Sequence, residues 1–125
     1  VSLSPKLMTI ALYKNTKTLS NVQATKRCLL QLLPESLASV VRVCGQKSGN
    51  DIDKINRLQK RFSLQQHSDL YYFADAAGFV ELEVIDMHEV GGDHVLGTFK
   101  VIKQKNLHDV PILTTNYLRE HKYIR

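Results

Sequence analysis

The chain of 125 residues has no tryptophan, two cysteines and three prolines. Cys28 and Cys44 lie in apolar surroundings without the spacing of a metal or redox motif, so we expect two reduced, buried thiols. No apolar run approaches the roughly 18 residues that a membrane span requires, and no signal peptide opens the chain. These absences argue against a disulfide scaffold and predict a cytoplasmic protein with no membrane partner.

The composition is that of an ordinary globular protein, and the length suits one domain over residues 1–125. The net charge is +5, but the basic residues are scattered along the chain. There is no helix-turn-helix pattern, zinc-ligand spacing or aromatic ladder, so we expect no nucleic-acid partner. A modest positive field would equally attract a phosphorylated cofactor.

Two long strands are predicted around a tight turn at residues 90–94. Apolar residues alternate with others over Val80–Ile85 and again over Val95–Val101, which is the period of a half-buried strand. This alternation places Glu81 on the outward face. Gly91 and Gly92 supply the positive-φ positions that a hairpin turn needs.

Ionisable side chains crowd the end of this hairpin, where His88 and His94 flank the turn beside Asp86 and Asp93. Two imidazoles on opposite strands of a hairpin can coordinate a metal ion. A closed metal site also needs a third ligand and supporting hydrogen bonds, so we expect no metal here. A second interpretation is that His94 caps the turn by bonding a carbonyl group.

The turn Asn15-Thr16-Lys17-Thr18 is the best candidate for a phosphate site. A helix N-terminus offers unpaired N–H groups and a positive dipole end, and here hydroxyls and one ammonium stand beside them. The alternative is an ordinary N-cap turn with a solvated lysine. Residues 45–54 contain glycine, serine and lysine, but they lack the spacing of a P-loop.

The remaining patterns predict short elements, with strands dominating, as in a small barrel with helical additions. Thr16 or Thr18 caps a helix that runs to about Thr25. The other predicted elements are a strand over 7–13, a strand over 28–33 ended by Pro34, a helix over 37–44 capped by Ser36, a helix over 53–61 and a loop over 63–69.

Residues 83–97 read Glu83-Val-Ile-Asp86-Met-His88-Glu-Val-Gly91-Gly92-Asp93-His94-Val-Leu-Gly97. This segment resembles the glycine-aspartate-histidine hairpin of the flavin reductase-like, FMN-binding split-barrel family. Three further segments resemble that family in the same order. Residues 1–12 look like the family's strand that opens with a proline-containing turn. Residues 15–22 look like its turn and helix start on the phosphate side, and residues 45–54 look like a loop found in one branch of the family.

The resemblance implies a mainly β fold, a split barrel of six or so mostly antiparallel strands with flanking helices. It further implies FMN as cofactor (FAD less so), NADH or NADPH as substrate, and a homodimer with the flavin near its interface. The implied reaction is hydride transfer to the flavin, with onward electron transfer. Family members have strands before the point where this chain starts, so we expect the domain over 1–125 to be N-terminally incomplete.

The resemblance also assigns roles to individual residues. His94 would face the nicotinamide and flavin as the catalytic position, with Asp93 fixing the turn. The cofactor-binding residues fall into three sets: those that would bind the phosphate, those whose main chain would line the ring and ribityl chain, and one lysine in a loop. These residues are Asn15, Thr16, Lys17, Thr18 and Asn21 for the phosphate, Ser2, Leu3, Ser4, Ala11 and Leu12 for the ring and ribityl chain, and Lys54.

Two other classes of function stay open. A non-catalytic flavin-binding module for electron transfer would share every motif and lack only the nicotinamide site. A degenerate split-barrel protein that has lost its flavin would also keep the barrel pattern. The sequence shows no Ser-His-Asp order and no cysteine with a histidine base, so nothing in it indicates a hydrolase.

Overall fold

Strands make up most of the regular structure in the computed structural model, which describes residues 1–45 and 54–124. The expectation of a mainly β protein is therefore confirmed. The strands are β1 (Ser2–Leu3), β2 (Lys6–Tyr13), β3 (Arg27–Leu32), β4 (Leu64–His67), β5 (Leu70–Phe73), β6 (Gly78–Glu89) and β7 (His94–Asn106). The helices are α1 (Lys17–Thr25), α2 (Val40–Gly45), α3 (Lys54–Gln59) and α4 (Thr115–Glu120), with a 3₁₀ turn over Glu35–Leu37.

The chain divides into two units. The first contains residues 1–30 and 80–104, and the second contains residues 31–79 and 105–125. One sheet has the strand order β1-β2-β7-β6-β3, and β4 pairs with β5 in a separate ribbon. Strand β2 is antiparallel to β7, in a register that sets Met8 opposite Phe99 and Tyr13 opposite His94.

The core of the first unit follows from the alternation along its strands. Leu82 and Phe99 are completely buried, and Val22 of α1 packs on them. This apolar contact holds α1 against the sheet. The partly buried side chains around these three are Met8, Ile10, Leu12, Cys28, Leu30, Val80, Val84 and Val101.

The second unit has a core of its own, built from the 3₁₀ turn, α2, α3 and β5. Phe62 and Phe73 meet edge to face, with ring centroids 5.8 Å apart. The side-chain oxygen of Gln31 accepts the amide of Phe73 at 2.9 Å. The buried members of this core are Leu37, Val40, Val43, Leu58, Phe73 and Ala76.

Several sequence-based expectations about local structure are wrong. Residues 64–67 form strand β4 rather than a loop, because pairing with β5 supplies the hydrogen bonds that a polar segment needs. Ser36 does not cap a helix over 37–44; it lies inside the 3₁₀ turn, and α2 begins at Val40. Cys44 is exposed and Cys28 is only partly buried, so neither thiol is buried as expected.

Two expectations about the long hairpin are also corrected. Glu81 is buried, because the Arg27 guanidinium bonds its carboxylate at 3.2 Å and so compensates its desolvation. Only Gly91 has a positive φ, of 83°, while Gly92 does not. In the described part of the chain, no helix is long and apolar enough to cross a membrane.

Candidate functional site

The junction between β2 and α1 is fixed by the hydroxyl of Thr16. Thr16 has the extended conformation of an N-cap, and its hydroxyl accepts the amide of Leu19 at 3.2 Å. The same hydroxyl donates to the carbonyl of Tyr13 at 2.8 Å. Of the two predicted caps, Thr16 is thus the actual one, and its single hydroxyl proton is committed to the turn rather than to a ligand.

The start of α1 carries donors suited to an anion. The amides of Lys17 and Thr18 have no acceptor within the helix, by the geometry of a helix start. Both side chains are exposed, and the first turn contains no acidic residue. Asn21, also exposed, follows one turn later on the same face as Lys17 and Thr18. The chemistry of this donor set fits a phosphate monoester, which needs several N–H or O–H donors and positive charge.

The other end of the candidate site is the β6–β7 turn. The Nδ1 atom of His94 bonds the carboxylate of Asp93 at 2.8 Å, and this bond is the main cause that lowers the pKa of Asp93. Because an ionised carboxylate only accepts, Nδ1 carries the proton and Nε2 is left to face a ligand. The His94 side chain is 30% exposed.

The fold brings these two ends together. The ring of Tyr13, at the end of β2, lies 3.9 Å from the His94 ring, centroid to centroid, with 38° between the planes. The amide of Lys14 donates to the carbonyl of Asp93 at 2.9 Å. In the first unit, the predicted phosphate turn therefore begins two residues after Tyr13, which contacts the predicted catalytic histidine.

An ion pair strengthens the same junction. The ammonium of Lys14 pairs with the carboxylate of Glu89, which lies at the end of β6. The hydrogen bond from Lys14 is the main cause that lowers the pKa of Glu89. Tyr13, Lys14 and Glu89 were not among the predicted site residues, and the sequence alone holds no signal for them, since their contacts depend on the β2–β7 register.

Other predicted residues lie elsewhere. Ser2 and Leu3 pair with the first residues of β2, and Ser4 precedes Pro5 in the tight β1–β2 connection. This hairpin is separated from the α1 N-terminus by the whole of β2, about 23 Å at roughly 3.3 Å per residue. Only a ligand that lies along β2 could contact both Ser2–Ser4 and the start of α1.

Ala11 and Leu12 lie between these two ends, on β2. Ala11 is exposed opposite Leu96, whereas the side chain of Leu12 packs in the core and leaves only its main chain for a ligand. Lys54 begins α3 in the second unit. Its side chain, with Lys47 and Ser48, lies outside the described residues.

The second imidazole of the hairpin does not join the site around His94. The Nε2 atom of His88 lies 3.0 Å from the carboxylate of Asp86 on the same strand, and both side chains are more than half exposed. Within residues 1–45 and 54–124, no three histidine, cysteine or acidic side chains are grouped to hold a metal ion.

The pattern of the flavin reductase-like domain family matches residues 1–122. The chain belongs to this family. The match takes in both ends of the candidate site, the helix start at Lys17 and the turn at Asp93 and His94. No curated protein sequence matches this flavin reductase-like chain.

Solved structures show the same fold. An FMN-binding protein from Thermus thermophilus, with bound 1-cyclohex-2-enone, has a TM-score of 0.72 at 21% identity and covers 85% of this chain. An NADH:FAD oxidoreductase of Streptomyces globisporus C-1027 has a TM-score of 0.70 at 21% identity over the same share. A flavoredoxin from Methanosarcina acetivorans has a TM-score of 0.73 at 14% identity and also covers 85% of this chain.

At these identities the likeness establishes the fold, so the expected split barrel is confirmed. The matches span 57%, 61% and 55% of the lengths of these three proteins. The Streptomyces oxidoreductase has also been solved in complex with NAD and FAD fragments, with a TM-score of 0.71 to this chain.

Proposed function

We propose that this flavin reductase-like domain binds FMN and transfers hydride from NADH or NADPH to the flavin, for onward electron transfer. The observation that carries the proposal is the juxtaposition of the α1 N-terminus with the Asp93–His94 turn, in a chain whose family match covers both. The flavin, when bound, supplies the two-electron acceptor for the hydride that the nicotinamide gives up. The protein supplies binding, orientation and exclusion of side reactions.

The phosphate of FMN would be held at the start of α1. The amides of Lys17 and Thr18 and the Thr18 hydroxyl would donate to its oxygens, and the Lys17 ammonium would balance their charge. Thr16 orients this turn through its bonds to Tyr13 and Leu19. A terminal phosphate carries more negative charge than a diphosphate bridge offers at one point, which favours FMN over FAD.

His94 would seat the nicotinamide against the flavin. Its Nδ1 proton is held by Asp93, so its Nε2 atom can accept a hydrogen bond when the ring is neutral and donate one when it is cationic. No side chain has to remove a proton from carbon, because the hydride passes directly between the two ring systems. The role of His94 is thus placement of the nicotinamide and hydrogen bonding to it.

The remaining partners belong to the same proposal. A homodimer would cover apolar side chains that the first unit exposes, among them Ile85 and Val90. The main chain of Ser2–Ser4 and Ala11–Leu12 would run along the ring and ribityl chain. We place the protein in the cytoplasm, where both nucleotides are available.

The test is the visible absorption spectrum of the FMN-loaded chain before and after anaerobic addition of NADH or NADPH. We expect bleaching of the flavin band at a rate well above that of free FMN at equal concentration. A bound flavin that neither nucleotide bleaches would contradict the reductase and favour the electron-transfer module. A chain that stays colourless with excess FMN would contradict flavin binding itself.

Matched lysine variants test the phosphate position. Lys17→Ala should weaken FMN binding by about 10- to 100-fold at low salt, because a charge-assisted bond of roughly 1.5–3 kcal/mol is lost. Lys26→Ala, which changes an exposed lysine at the opposite end of the same helix, should leave FMN binding within about twofold. Equal losses in both variants would mean that only the overall field matters.

A further inference from the structure

Tyr13 contacts both halves of the candidate site. Its ring lies against His94, with the centroids 3.9 Å apart. Its carbonyl accepts the hydroxyl of Thr16, the cap of α1. Tyr13 thus contacts His94 through its side chain and Thr16 through its main chain.

The backbone around Tyr13 is held on both sides. The register sets it opposite His94 across the β2–β7 pair, and the next amide, of Lys14, donates to the carbonyl of Asp93. Directly opposite residues in an antiparallel pair have Cβ atoms about 4.5–5.5 Å apart, close enough for their rings to touch. The contact is therefore a consequence of strand pairing and does not need a special loop conformation.

The imidazole of His94 needs two restraints to keep one orientation. The bond from Nδ1 to Asp93 holds one edge of the ring, but the Asp93 side chain is itself 82% exposed. The Tyr13 ring supplies a face for the imidazole to lie against. The charged groups near this pair are Asp93 itself and the Lys14–Glu89 ion pair.

We infer that Tyr13 is a positioning residue, which holds the imidazole of His94 with Nε2 directed at the nicotinamide and ties that orientation to the turn that would bind the phosphate. The expected effect on NADH oxidation rests on the proposed function, whereas the contact between Tyr13 and His94 does not. The property that matters is the aromatic ring, since no hydrogen bond of the Tyr13 hydroxyl contributes to the contact with His94. Phenylalanine should therefore replace tyrosine here.

The experiment compares Tyr13→Ala and Tyr13→Phe, with Tyr71→Ala, an exposed tyrosine of the second unit, as the control. In the ligand-free chain, NMR signals of the His94 ring protons report the ring current of Tyr13. We expect them to move in Tyr13→Ala and to stay in Tyr13→Phe and Tyr71→Ala. Circular dichroism checks that each variant folds, which we expect because the side chain of Tyr13 is largely exposed.

Kinetics then measure the consequence. Tyr13→Ala should raise the KM for NADH or lower the rate of hydride transfer about tenfold, as expected for a misplaced group. Tyr13→Phe should restore the wild-type values. Unmoved His94 signals in Tyr13→Ala, or moved signals with unchanged kinetics, would overturn the inference. A wild-type chain that does not oxidise NADH would instead contradict the proposed function, while the NMR comparison would still decide whether the Tyr13 ring lies against His94 in solution.

Discussion

Lys14 and Glu89 form an ion pair that joins the end of β2 to the end of β6. The pair neutralises the lysine nearest to the helix start and leaves Lys17 as the cation of the first turn of α1. The arrangement also ties the strand that leads into the predicted phosphate turn to the hairpin that carries His94. The charged residues near the candidate site are thus Lys14, Lys17, Glu89 and Asp93.

Glu89→Gln should strengthen FMN binding by about two- to threefold at low salt, because it frees the Lys14 ammonium and removes a nearby negative charge. Fluorescence titration of FMN at two salt concentrations measures the change, and the gain should fade at high salt. Glu83→Gln, at another exposed glutamate of β6, is the control and should have less effect. A weaker affinity in Glu89→Gln would show that the ion pair is needed to shape the turn.

Two substitutions of Thr16 separate its structural role from the phosphate site. Thr16→Ala should lower the free energy of unfolding by about 1 kcal/mol, because the amide of Leu19 loses its cap. Thr16→Asp keeps an oxygen that caps Leu19 but cannot donate to the carbonyl of Tyr13, so it should recover only part of the stability lost in Thr16→Ala. Its negative charge should repel the phosphate and weaken FMN binding. Chemical denaturation and FMN titration of both variants check this. An aspartate variant that binds FMN as tightly as wild type would place the phosphate elsewhere.

The hairpin core constrains Gly97. A Cβ atom there would lie 2.6 and 2.9 Å from ring atoms of Phe99 and 3.0 Å from the sulfur of Met87. Because Phe99 is completely buried and its ring has no room to move, Gly97→Ala should destabilise the fold by about 1–3 kcal/mol. Gly92→Ala, where a Cβ meets nothing within 4 Å, should change stability little. Similar denaturation midpoints for the two variants would contradict this packing.

The bond between Asp93 and His94 should be visible in an acid titration. The hydrogen bond from His94 is the main cause that lowers the pKa of Asp93 from 3.8 in the folded chain. The ionised carboxylate therefore stabilises the fold above pH 3.8, and this contribution is lost as the pH falls through the lowered pKa of the folded state. The carboxyl ¹³C signal of Asp93 should titrate below 3.8 in the wild type and return toward 3.8 in His94→Ala. An identical midpoint in both proteins would mean that the two side chains do not interact in solution.

Local signals in the sequence were sufficient for the hairpin and for α1. The alternation before and after Gly91 predicted β6 and β7, and a threonine before an amphipathic segment predicted a helix ending near Thr25. Both patterns arise from neighbours a few residues apart. The polar strand β4 is not predicted from the sequence because its stability comes from pairing with β5. Residues 64–67 carry no local pattern that indicates this pairing.

Long-range contacts account for the other errors. Glu81 looked like a surface residue because its partner, Arg27, lies on another strand. Tyr13 and Lys14 were overlooked because their proximity to His94 and Glu89 depends on the β2–β7 register. The predicted site residues around Lys17 and His94 fall in two turns, and the β2–β7 register shows that these two turns adjoin.

The most direct test of the account is an amide NMR comparison of the chain titrated with FMN and with riboflavin, which lacks the phosphate. We expect FMN to shift the amide signals of Lys17 and Thr18 strongly and riboflavin to leave them almost unchanged. Both ligands should perturb the ring signals of His94. If FMN and riboflavin affect Lys17 and Thr18 equally, or if the largest shifts fall away from this junction, the start of α1 is not the phosphate site and the central claim is wrong.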